Sequence, residues 1–104
     1  MAQTPRMIQI EAMMADDPDD AMLGYMLGME YVSAGDDAGA VAIFKDVIAK
    51  EAYVPAFHMA GQALNRLGQM SEAAAMLKAG IAAARNAGDF HALGEMEGLL
   101  SSIE

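Results

Sequence analysis

Two stretches of this chain follow one pattern at a fixed interval. Gly28, Gly35, Ala40 and Phe44 are answered in register by Gly61, Gly68, Ala73 and Leu77. A repeat of this kind, about 20 to 50 residues long, marks small units that cannot bury their apolar faces alone and must stack on one another. The run from Leu27 to Phe44 reads as the end of one helix, a tight Gly-Asp turn and the start of a second helix folded back on the first. Leu27 and Tyr31, with Ala40 and Phe44 across the turn, are expected to form the seam. Gly28, Gly61, Ala40 and Ala73 let the helices approach because their side chains are short, while Phe44 and Leu77 fill the space between pairs.

Start and stop signals extend this grammar along the chain. Thr4 before Pro5 is a helix start, an oxygen acceptor followed by Pro at the first helical position. Met7, Ile10, Met13 and Met14 then make one apolar stripe, which ends near Ala15 because Pro18 disfavours helical geometry before it. Asp19 or Asp20 caps the next helix, which runs to about Ala34 with Gly35 as its left-handed cap. Asp36 or Asp37 caps a third, carrying Ala40, Val41, Phe44, Val47 and Ile48. Tyr53-Val54-Pro55 opens a fourth, closed by Gly68. A fifth begins at Ser71, led in by Met70, and reaches about Ala87. After Gly88 and Asp89 a last helix carries Phe90, Leu93, Met96, Leu100 and Ile103 on one face. Gly94 keeps the register of Gly61, but Glu97 stands where Tyr31 and Leu64 stood, so this helix reads as a cap with a water-facing side.

The spacing Leu-Gly-x-x-Tyr, Gly, Ala-x-x-x-Phe resembles the tetratricopeptide repeat, and Leu27, Gly28, Tyr31, Gly35, Ala40, Phe44, Gly61, Gly68, Ala73, Leu77 and Gly94 carry the resemblance. It implies an all-α, right-handed superhelical stack of antiparallel helix pairs with about six helices. One domain spans 1–104: an orphan helix and turn (1–20), two full repeats (21–53 and 54–88) and a capping helix (89–104). Two departures are the missing Asp-Pro after the first repeat and Gly80 where the family has Ala.

The resemblance also implies a groove, lined by the first helices of successive repeats, that receives a peptide. Its positions fall on Met22, Tyr25, Met29, Val32 and Ser33, then on Pro55, His58, Gln62, Asn65 and Arg66, then on His91 and Glu95. Met26 and Met59 lie beside this surface and either line it or face the core. The family's clamp of Lys, Asn and Arg for a terminal carboxylate is not carried: Tyr25 and Met29 stand at its first Lys and Asn positions, and only Arg66 remains. A Met-rich surface suits an apolar, adaptable segment.

Composition narrows the partner. Ten acids in residues 1–53 face only Arg6, Lys45 and Lys50, within a net charge of −9. Nucleic acid and anionic membrane would be repelled, and a basic protein or peptide steered in. Without cysteine there is no disulfide, thiolate metal site or catalytic thiol. No apolar run reaches transmembrane length and the N-terminus lacks a signal core, so a cytoplasmic setting is expected. No cofactor is implied.

Three functions remain open at this point. The first is a non-catalytic protein-interaction module, an adaptor, scaffold or chaperone-like holder. The second is an assembly module that forms a homodimer. The third is a metal-dependent enzyme through His58, His91 and Glu95, since the two His share a repeat position and Glu95 follows His91 by one turn. No HExxH pattern, cation loop, nucleophile elbow or phosphate loop supports the third.

Overall fold

The computed structural model describes residues 3–104 as six helices: α1 (Pro5–Asp16), α2 (Ala21–Ser33), α3 (Asp37–Lys50), α4 (Val54–Arg66), α5 (Met70–Ala87) and α6 (Phe90–Ile103). Met1 and Ala2, at the head of the expected N-terminal segment, lie outside the described residues. Four helices start on a side-chain oxygen that satisfies orphan backbone N–H groups. Thr4 accepts from Met7, Asp20 from Met22 and Leu23, Asp36 from Gly39 and Asp89 from Ala92. Tyr53 and Gln69 precede α4 and α5 without such a bond. Ser71 is therefore not the start of α5. Gln69, the repeat counterpart of Asp36, holds the cap position, and Met70 lies inside the helix with its side chain exposed.

Three helices stop the same way. The amides of Asp36, Gln69 and Asp89 reach back to the carbonyls of Tyr31, Leu64 and Ala84 at 2.9, 3.0 and 2.9 Å. The glycine before each donor, Gly35, Gly68 or Gly88, has a positive φ. That left-handed conformation is what this closure requires. Each short turn then folds the next helix back against its predecessor.

Consecutive helices pack in antiparallel pairs, and glycine sets how closely they approach. A Cβ added at Gly61 would lie 2.5 Å from Leu77 Cδ2, and one at Gly28 would lie 2.3 Å from Phe44 Cε1. Gly24 faces Val47 in the same manner. Phe44 and Leu77 thus fill notches within their own pairs as well as the space beyond. Gly80 has its own reason: a Cβ there would lie 2.6 Å from both Phe57 Cβ and Met96 Sδ, so Ala would not fit.

Successive helices touch throughout, and α2 also meets α4, and α4 meets α6. The backbones of α1 and α3, and of α3 and α5, do not approach as closely. The helices therefore form two layers, with α2, α4 and α6 side by side and α1, α3 and α5 splayed apart. The core runs between the layers as a string of apolar clusters, and no polar or charged residue is buried among the described residues.

Three expectations about packing change. Leu27 joins Met7 and Ile10 against α1, not Ala40 across the turn, because α1 covers that side of α2. Met13 leaves the apolar stripe of α1 and is 45% exposed, while Met14 stays half-buried. Phe90 leaves the buried face of α6 and is 66% exposed, since no helix covers its side of the first turn.

Candidate functional site

The residues expected to line a groove sit on the layer formed by α2, α4 and α6, but they are not equally free. Met22 is 57% exposed, and Ser33 and His91 are open to solvent. Tyr25 is half-buried: its ring centroid lies 5.9 Å from Phe44 and 5.5 Å from Tyr53. Burial first, and the neighbouring Tyr53 phenol second, raise its pKa above the ordinary tyrosine value. Met29, Val32 and Met59 pack against the same cluster as Tyr25. Met26 turns the other way, toward Met7, Ile10 and Leu27. The thioether surface between the helices is thus a half-buried wall resting on the core.

Polar members of the set are tied to one another. His58 Nε2 lies 3.0 Å from the Gln62 amide nitrogen one turn on, which donates to it when the neutral ring carries its proton on Nδ1. His91 pairs with Glu95 at 3.2 Å on an exposed face. No group of three or more His, Asp or Glu among the described residues could hold a metal, so His58, His91 and Glu95 are not brought together as a ligand set. Asn65 is half-buried, and Pro55 is exposed at the start of α4.

Arg66 is not a free cation in this surface. Its guanidinium grips Asp37 at the first residue of α3, with Nη2 and Nε at 2.8 and 3.2 Å from Oδ1 and Nε at 3.1 Å from Oδ2. The fork ties the end of α4 to the start of α3. The sequence does not reveal Asp37 as the partner, because the pairing spans 29 residues and depends on how the hairpins stack. The Arg66 hydrogen bonds, against a smaller opposing desolvation, hold the Asp37 carboxyl below its ordinary pKa. A depressed folded-state pKa contributes stability that is present above the unfolded value and lost as pH falls through the folded one. Asp37→Asn should therefore lower stability at pH 7 by up to about 1 kcal/mol, the range of partly exposed pairs. Denaturant melts should show that gap closing below about pH 4. An unchanged gap at pH 2.5 would show that the Asp37 charge is not what stabilises the fold.

No family model matches the sequence, and no curated protein does either. Solved structures do. A tetratricopeptide repeat domain protein from Salinibacter ruber superposes with a TM-score of 0.78, covering 84% of this chain and 89% of that one at 25% identity. The chain has a tetratricopeptide-repeat fold. A protein from Bordetella parapertussis superposes at TM-score 0.81 over 98% of this chain and 89% of its own, at 24% identity. The tetratricopeptide-repeat match fits six helices packed in adjacent pairs, with the recurring glycine pattern as its sequence trace. Such folds are generally protein-interaction modules and are usually non-catalytic. No helix is long and apolar enough to cross a membrane, among the described residues.

Proposed function

We propose that this chain is a non-catalytic protein-interaction module that holds a segment of a partner protein across α2, α4 and α6. The contact residues are Met22, Tyr25, Met29, Ser33, His58, Gln62, Asn65, Arg66, His91 and Glu95. The supporting observation is the layering: α2, α4 and α6 touch in series while α1, α3 and α5 splay apart, which bends the stack toward the first layer. A surface on the inside of such a bend meets an extended or helical segment along its length. Tyr25, Met29 and Met59 give it an apolar floor, and the polar pairs His58–Gln62 and His91–Glu95 give it a rim. Arg66 also braces the surface, its guanidinium held by Asp37, which fixes the spacing of the hairpins.

A benzophenone photo-crosslinker placed at Met22 or His58 tests this against one at Ala75 on the exposed side of α5. In extract of the source cell, the first two should give a discrete higher-mass adduct and Ala75 none. Equal labelling at all three positions, or at Ala75 alone, would sink the assignment.

One observation favours assembly as a second reading. Helical glycines elsewhere sit against a neighbouring side chain, but Gly94 and Gly98 meet nothing within 4 Å. Exposed Phe90 lies one and two turns before them on α6. Adducts at twice the chain mass in the same crosslinking experiment would select this reading.

A further inference from the structure

Position 24 differs from its two counterparts in the repeat. Phe57 and Phe90 stand at the positions equivalent to Gly24, and the partner position shows the opposite change, Val47 becoming Gly80. The structure pairs these residues directly. Gly24 lies under Val47 Cγ2, and Phe57 lies against Gly80. Large and small have changed places between one hairpin and the next. The exchange leaves α2 with a hydrogen atom where α4 carries a phenyl ring.

Beside Gly24 there is a cleft of about 130 Å³. Helices α1 and α3 flank α2 with their backbones apart, and the gap between them opens over Ala21, Gly24 and Leu27. Met14 on α1 and Ile43 and Val47 on α3 form its walls. An apolar cavity of roughly 150 Å³ accepts a benzene molecule, whereas pockets for drug-sized ligands start at roughly 300 Å³. The volume therefore fits one aromatic side chain.

The mouth of the cleft is acidic. Asp20 and Asp46 line it, and Asp16, Asp17 and Asp19 crowd the adjoining turn. The one cation at the rim, Lys50, has its Nζ 2.8 Å from the Pro18 carbonyl oxygen. Asp46 forms no ion pair among the described residues. Such a rim attracts a segment whose aromatic group is flanked by positive charge.

We infer that the α1–α2–α3 cleft is a second docking site, which takes a single aromatic side chain from a partner segment with Lys or Arg beside it. The site lies between the splayed helices, so it does not depend on the groove across α2, α4 and α6. A second copy of this chain is a poorer occupant. Its exposed Phe90 is followed along α6 by Glu95 and Glu97, and two chains of charge −9 repel.

Methyl NMR with a seven-residue probe, Gly-Lys-Lys-Phe-Lys-Lys-Gly with blocked ends, tests the inference. Saturable shifts are expected at the methyls of Met14, Leu27, Ile43 and Val47, with none at Met22 or Met29. Replacing the probe's Phe by Ala, or its Lys by Glu, should weaken binding at least tenfold. Gly24→Phe combined with Val47→Gly transplants the α4–α5 arrangement and should also lose at least tenfold while staying helical. If that variant does not fold, the wild-type titration decides alone. Equal binding of the Phe and Ala probes, or shifts at Met22 and Met29 instead, would overturn the site. Concentration-dependent cleft shifts without probe that vanish in Phe90→Ala would make the occupant a second copy and overturn the proposed partner. Failure of the crosslinking map leaves this titration unaffected, so the two proposals fail separately.

Discussion

Phe44→Ala is expected to cost about 3–5 kcal/mol, the usual range for emptying a buried phenyl site. The ring is fully buried, set against Gly28 on α2, centred 5.9 Å from the Tyr25 ring, and clustered with Ala56 and Ala60 of α4. It is thus the point where one hairpin closes and the next docks. A domain of this length has about 5–15 kcal/mol of total stability, so the variant would sit near the edge of folding. Each kcal/mol moves the melting temperature of a small domain by about 4–8 °C, so calorimetry should record a drop of about 12 °C or more. Gly28→Ala gives the complementary test. In the wild-type background its methyl overlaps the ring and should destabilise; in the Phe44→Ala background it points into the space that the ring left. A double-mutant cycle should show coupling of about 1 kcal/mol or more. Additive effects would mean that Gly28 and Phe44 do not meet.

Removing Asp89–Glu104 should be worse than its length suggests. Met96 is fully buried and lies over Gly80, in one cluster with Phe57, Leu77 and Ala84. Deletion opens that cluster to water, with half-buried Ile81 beside it. An exposed apolar end of a stacked repeat leads to aggregation or unfolding, which is why terminal elements act as caps. Circular dichroism should show helicity lost beyond the share of α6 itself, and sedimentation should show large species. A soluble truncated monomer with unchanged helicity per residue would show that α6 is not a structural cap.

The placement of the candidate surface was legible to different depths. Met22, Ser33 and His91 stand open as the repeat register implied, because a helix position far from any neighbour keeps the exposure that its periodicity assigns. Tyr25 and Met29 were less legible. Periodicity gives a direction around a helix axis, but not how far the next hairpin leans in, and here Phe44 and Tyr53 cover part of the Tyr25 ring. Met26 turned toward α1 for the same reason. Arg66 is the sharpest case, since its partner lies on another hairpin and only the stacking angle brings Asp37 within reach.

By itself the sequence determined the elements and their order. Thr4-Pro5, Asp20, Asp36 and Asp89 start helices through local hydrogen bonds, and Gly35, Gly68 and Gly88 stop them through a backbone conformation that glycine adopts without strain. Those interactions span a few residues, so the local sequence contains all their parts. The repeat period added the pairing, because similar hairpins can stack in few ways. What only the tertiary structure decided depends on gaps between elements. The exchange of Gly24 and Val47 for Phe57 and Gly80 is visible as letters, yet whether it yields a filled core or an open cleft depends on α1 and α3 standing apart. Void volume is a property of three helices at once, and no single stretch of chain encodes it.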